Sequence, residues 1–212
     1  MTFRKINGLM WPAMDVSCHK VIFKQAQEMG KVLRHVTDFS VCIQAGGNCG
    51  VWPIELAKHF GMIYTAEPHP LNYQALVHNV SQLPNVRPMN VAFGQEPGAV
   101  RIELDQGERN NCGAFYVRNG GDVPMITIDS LQVSTCGLIY LDVEGFEEPA
   151  LRGAEETIKR CKPLIAVEAK GLAKRYDLSD ESCAAYLASL GYNVVGKTNR
   201  DAIFAPCASP AS

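Results

Sequence analysis

What the chain lacks narrows it first. Nowhere among its 212 residues does an uncharged apolar run approach the ~20 residues that span a bilayer, and the opening MTFRKINGLMWPAMDVSCHK holds no run of signal-peptide length. Neither a membrane partner nor export is expected, and a cytoplasmic location is. Charge of one sign is missing too: 20 basic against 22 acidic residues leave a net charge of −2, which gives no field to gather nucleic acid. The eight cysteines form no CxxC pair and have no histidine at zinc-finger spacing. They are read as reduced, buried, small apolar side chains. Repeats, low-complexity tracts and long linkers are missing as well, and the length suits one domain with a long core sheet.

What is present alternates. Near-continuous apolar runs of strand length fall at FSVCIQAG (39–46), GMIYTAE (61–67), GLIYLDVEG (137–145) and KPLIAVEA (162–169), as in strands buried on both faces. Apolar positions three and four apart mark helices in VWPIELAKHF, in LNYQALVHNV from Leu71 and in EPALRGAEETIKR from Glu148. The alternation predicts an α/β fold, a doubly wound and mostly parallel sheet. From Gly98 onward, short alternating strands with Gly and Asn turns read as a β insert, and the stretch from Ser179 to Pro206 predicts a helix, a stop at Gly191 and an antiparallel C-terminal hairpin. Residues 1–38 are expected to be a helical segment or lid, with an irregular LMWPAMD and one amphipathic helix over roughly 17–33, packed on a single domain of 39–212.

The densest signal is QAGGNCG, 44–50, at the end of the first strand. Its glycines let the backbone approach a ligand closely, and a helix starting near Val51 turns free N–H groups toward it. Glu67 ends the next strand about twenty residues on, where a carboxylate can take both hydroxyls of a ribose. A nucleotide-like ligand is therefore expected. A dinucleotide asks for GxGxxG, met here only as Ala45, Gly47 and Gly50 without the first glycine. S-adenosylmethionine has no phosphate; the strand before its turn commonly ends in an acid that holds the ammonium, and Gln44 occupies that place.

QAGGNCG, AEPHPLNYQALVHN, TIDSL, LDVEGFEEPALRGAEETI and PLIAVE, in that order over roughly 41–168, resemble successive motifs of the FkbM-type methyltransferases. The resemblance implies a class I, Rossmann-like methyltransferase fold, S-adenosylmethionine as cofactor, and transfer to an oxygen of a small hydroxylated or sugar-like acceptor. The first family motif resembles D-x-G-A-N-x-G, so Gly46, Asn48 and Gly50 match, Gly47 stands for alanine and Gln44 for the acid. It further implies Glu67 on the ribose, Pro68 and His69 beside the adenosine, and Val91 and Ala92 flanking the adenine. His69, just before Pro70, is equally readable as a surface residue, and NNCG (110–113) either as the family's Asn/Gly segment at the pocket edge or as a plain turn.

LDVEGFE sets Asp142, Glu144 and Glu147 at the carboxyl end of a strand, the edge where open α/β sheets bind ligands. Alternation sends Asp142 and Glu144 to one side. Asp142 then faces the cofactor's methionine end, supplying the carboxylate that Gln44 lacks, while Glu144 and Glu168 face the acceptor, where a carboxylate pair can orient a hydroxyl and take its proton. Asp142, Glu144 and Glu168 are the expected catalytic set, and no metal is expected. The plainer alternatives are a helix cap for Glu144 and, for Glu168, solvent or an ion pair with Lys170. Two other functions compete: an NAD-dependent oxidoreductase, weakened by the missing glycine and by no evident acid for hydride chemistry, and a non-catalytic S-adenosylmethionine-binding protein, which Gln44 favours.

Overall fold

Asn7-Gly8 separates two extended tetrapeptides, and in the computed structural model, which describes residues 2–207, they pair as a hairpin, β1 (Phe3–Ile6) and β2 (Leu9–Pro12). Both turn residues have positive φ, 50° and 83°, the two-residue turn that Asn-Gly favours because its twist matches that of the strands. The N-terminal segment, expected to be helical, thus begins as β structure. Its single expected helix is two, α1 (Cys18–Ala26) and α2 (Met29–Leu33), broken at Glu28, whose carboxylate accepts the Asn199 N–H at 3.1 Å.

The core sheet follows in order β3 (Val41–Ala45), α3 (Val51–Leu56), β4 (Met62–Ala66), α4 (Pro70–Val80) and β5 (Val86–Met89). The insert then forms β6 (Ala92–Phe93), β7 (Gly98–Leu104), β8 (Phe115–Asn119) and β9 (Val123–Ile126), a four-stranded sheet of its own. The chain returns through β10 (Leu138–Leu141), α5 (Glu147–Arg152), α6 (Glu155–Cys161) and β11 (Leu164–Glu168), and ends with α7 (Ser182–Ser189), β12 (Tyr192–Lys197) and β13 (Asp201–Pro206). The main sheet runs β12-β13-β11-β10-β3-β4-β5, parallel from β11 to β5, with the C-terminal hairpin antiparallel at one edge. The helix expected from Glu148 is divided at Gly153, where a Cβ would stand 2.0 Å from the Gly94 carbonyl oxygen.

The two-residue period of the strands sorts the core. Cys42, Leu138, Tyr140, Leu164 and Ala166 join the layer with α1, α3 and Trp11, whereas Ile43, Ala45, Ile139, Leu141, Ile165 and Val167 join the layer with α5, α6 and α7. Burying both faces explains why these strands read as unbroken apolar runs. Trp11 is fully buried, so the N-terminal hairpin is part of the core. Among the described residues, no helix is long and apolar enough to cross a membrane.

Candidate functional site

From β3 the chain winds outward to β5 on one side, then crosses to β10 and β11 on the other. The crevice opened by such a reversal, outside the carboxyl ends of β3 and β10, is where this topology offers a ligand room. A cleft of about 240 Å³ lies there, bordered by Gly46, Asn48, Glu67, Asn72, Asp142 and Glu144, and roofed by Cys18 and Ile22 of α1 and by Cys112 of the insert. A small apolar recess continues from it past Gly46 and Pro68 to Val91, Ala92 and Phe146.

The glycines of the turn serve the protein's own packing. Gly46 has φ of 82° and a Cβ on it would sit 1.9 Å from the Asp142 carbonyl oxygen; on Gly47 it would sit 2.8 Å from Leu76 and from the Thr65 hydroxyl. The turn's own N–H groups, as distinct from those of the helix after it, are all engaged. Gly46 and Gly47 donate to the Ala66 carbonyl, Asn48 to Glu67 Oε2, Cys49 to Asn48 Oδ1 and Gly50 to the Gly47 carbonyl. A turn with all five amides paired internally is a poor host for a pyrophosphate, which disfavours the dinucleotide alternative.

Glu67 is 5% exposed, and its two oxygens each accept one backbone N–H, from Asn48 at 2.7 Å and from His69 at 2.8 Å. Burial pushes its carboxyl up to about 7 against those two bonds. Each oxygen has capacity for a further hydrogen bond, enough for the two hydroxyls of a ribose. Beside it, Asn72 Oδ1 is buried with no partner among the described residues, while its amide nitrogen is held 2.7 Å from the Cys112 carbonyl. An unpaired acceptor next to a paired carboxylate suits a ligand rich in hydroxyl donors. His69 is half-buried: it caps α4, stacks on Phe115 at 3.7 Å between centroids, and burial drives its ring down to about 4, so it stands neutral beside the cleft.

Gln44 lies elsewhere. It is fully buried, its amide nitrogen donating to the Ala45 carbonyl at 2.9 Å and its oxygen accepting the Thr65 hydroxyl. It lies on the face of β3 that carries Cys42 and does not border the cleft, so the acidic place in the motif has become an internal cross-strand tie between β3 and β4. Ala45 likewise leaves the main cleft and lines only the apolar recess.

Asp142, Glu144 and Glu168 do come together, one oxygen of each lying within 4.8 Å of the others. The cause is not strand alternation, for β10 ends at Leu141 and Glu144 sits in the left-handed region at φ of 57°. Three cations balance the group. Lys170 bridges Glu144 at 3.0 Å and Glu168 at 2.7 Å, Arg175 lies 3.5 Å from Glu144, and Arg200 pairs with Asp142 at 3.3 Å and with Glu168. Burial raises the Glu144 carboxyl, with Lys170 opposing. Asp142 and Glu144 line the cleft; Glu168 stands behind Lys170 and Arg200, met by ion pairs without aligned hydrogen bonds. Glu147, grouped with them in sequence, instead caps the turn by accepting the N–H groups of Val143 and Gly145.

No sequence pattern marks Arg200, which reaches the acids from the turn between β12 and β13, or Phe115, and Asn72 lies inside AEPHPLNYQALVHN as one polar residue among several. NNCG braces the roof of the cleft. Its Cys112 N–H donates to Asp15 Oδ1, and the Cys112 carbonyl accepts from Asn48 and Asn72. Asp15 also takes the N–H groups of Cys18 and His19 at the start of α1. Burial would raise the Asp15 carboxyl, yet the bonds from His19, Cys112 and Cys18 outweigh it and leave it lowered.

This sheet order, with a ligand cleft at the reversal and an acid ending the second core strand, is that of a class I methyltransferase. The chain belongs to the FkbM methyltransferase family, whose profile, the methyltransferase FkbM domain, matches residues 55–194. The match begins just past the glycine turn. Among solved structures, methyltransferase FkbM from Methylobacillus flagellatus KT is 17% identical with a TM-score of 0.54, the alignment covering 78% of this chain and 43% of that one, less than half of its length. The TYW2 protein of M. jannaschii, solved in complex with AdoMet, is 15% identical with a TM-score of 0.50 over 97% of this chain and 86% of its own. The ribosomal protein L11 methylase of Lactobacillus delbrueckii subsp. bulgaricus is 10% identical with a TM-score of 0.54 over 92% and 83%. Comparison with curated proteins yields no match.

Proposed function

We propose that the protein is an S-adenosylmethionine-dependent methyltransferase acting on an oxygen of a small hydroxylated acceptor. The observation that carries this is the pairing, across Gly46 in one cleft, of Glu67 with its free lone pairs beside the orphaned Asn72 Oδ1 on one side and Asp142 on the other. Glu67 and Asn72 take the ribose hydroxyls, the recess of Val91, Ala92 and Phe146 takes the adenine, and Asp142, in place of Gln44, takes the ammonium. When bound, the cofactor would supply an electrophilic sulfonium methyl group for transfer to the acceptor oxygen. Displacement of this kind is governed by alignment. Glu144, in the cleft and raised by burial, takes the proton the acceptor loses and passes it to water. Glu168 holds Lys170 and Arg200 in place behind it.

Calorimetry with S-adenosylhomocysteine tests the reading. Binding in the parent and a loss on the order of 1.5 to 3 kcal/mol in Glu67→Ala are expected, because the ribose would lose a charged acceptor. Absence of binding by the parent would refute it. Binding with no turnover across a broad panel of hydroxylated compounds would favour the cofactor-binding, non-catalytic alternative.

A further inference from the structure

A second cavity, about 170 Å³, lies beside the cleft and shares Gln25, Trp52 and Arg200 with it. Its floor is apolar: Met29 and Val32 of α2 face the rings of Trp52 and Tyr140, whose centroids are 5.3 Å apart. Most polar groups of its wall are already satisfied. Tyr140 and Thr198 donate to Asp201 at 3.2 and 2.7 Å, Asn199 is tied to Glu28, and Arg200 Nη1 donates to Gln25. Two buried donors are left over, besides the Lys24 ammonium that also borders the cavity. Trp52 Nε1 and Arg200 Nε are buried with no partner among the described residues, and both belong to side chains that stand between the two cavities.

A buried N–H without an acceptor is costly, so two of them at one boundary mark where oxygen is to be received. Size decides what carries the oxygen. A cavity of ~150 Å³ lined by apolar side chains holds one benzene ring; at 170 Å³ this one holds a single ring with one or two substituents. A sugar would set a shell of hydroxyls against Met29 and Val32 with nothing there to bond them.

Building on the methyltransferase reading, we propose that this cavity is the acceptor site and that it takes a single-ring phenol or catechol. The ring lies against Trp52 and Tyr140, with its oxygen at the Trp52 and Arg200 N–H groups facing the cleft. The phenolic oxygen bonds to the methyl carbon, the electron pair of the broken carbon–sulfur bond stays on sulfur, and the phenolic proton passes to Glu144.

The test is calorimetric titration of phenol, catechol and glucose into protein saturated with S-adenosylhomocysteine, repeated on Met29→Trp, which fills the cavity, and Trp52→Phe, which keeps a ring and removes the donor. Folding of each variant is checked by a circular dichroism spectrum that matches the parent's, and S-adenosylhomocysteine affinity is measured first so that every titration is made at saturation; Met29→Trp, outside the cleft, is expected to keep the parent's affinity. Catechol binding in the parent is expected, lost in Met29→Trp and weakened about tenfold in Trp52→Phe, with methylated catechol formed from S-adenosylmethionine. Cofactor binding without phenol or catechol binding overturns the acceptor assignment alone, as does unchanged catechol affinity in folded Met29→Trp or a preference for glucose. Failure to bind the cofactor at all instead overturns the methyltransferase reading.

Discussion

Replacing Glu67 by Gln separates its charge from its shape. In the parent, burial lifts the carboxyl from 4.5 to about 7, so the folded state holds the proton more tightly than the unfolded chain does. A folded-state value above the unfolded one contributes stability that is fully present below about 4.5 and is lost as pH rises through about 7, a span worth about 3 kcal/mol. The variant cannot titrate and lacks this slope. It carries another cost: both Glu67 oxygens accept a backbone N–H, at 2.7 and 2.8 Å. The amide's NH₂ replaces one acceptor by a donor, leaving a buried N–H unpaired at about 1 to 3 kcal/mol. A protonated carboxyl escapes that cost because its hydroxyl oxygen keeps a lone pair. Glu67→Gln is therefore expected to be less stable than the parent at pH 5, with the gap closing or reversing by pH 8. Urea unfolding at the two pH values reads it directly. A gap that widens at pH 8 would refute the raised carboxyl and with it the claim that desolvation outweighs the two N–H bonds.

Gln44→Asp is expected to destabilise by on the order of 3 kcal/mol, because it buries a carboxylate with no cation beside it; tighter binding of S-adenosylmethionine in calorimetry would show that residue 44 reaches the cleft after all. Glu144→Gln should lower kcat by about 10²-fold with little change in cofactor affinity if it receives the acceptor's proton, and unchanged turnover would assign it to positioning. Chelator treatment should leave turnover intact, since Lys170, Arg175 and Arg200 already balance the three acids; activity lost to chelator and restored by a divalent cation would contradict that.

Turn and acid are legible in the sequence because each is a local pattern: a strand ending in glycines, then an acid at the end of the next strand. Their reasons are not. Gly46 is required by the Asp142 backbone and Gly47 by Leu76 and Thr65, partners that sequence alone does not put side by side. Gln44 reads as a ligand because its position in the motif is right, yet which face of β3 it occupies follows from the register with β4 and its Thr65. The meeting of Asp142 with Glu144 is expected from alternation and arises from a left-handed turn after the strand has ended. Asn7-Gly8 is a hairpin signal, but it sits between tetrapeptides without apolar alternation, which hides the strands on either side. Arg200 leaves no trace, for an arginine in a polar hairpin turn is ordinary until β13 is found beside β11.

Cys112 ties the roof of the cleft to three distant parts of the chain, Asp15, Asn48 and Asn72, at sequence separations of 97, 64 and 40 residues. Those contacts close long loops, and loop closure must be met before any of them contributes. The roof is consequently the part of the molecule to assemble last and to open first. In native-state hydrogen exchange the Cys112 and Cys18 amides should exchange through a partial opening that leaves β3, β4 and β10 protected. Such an opening would widen the cleft for a ligand without unfolding the sheet.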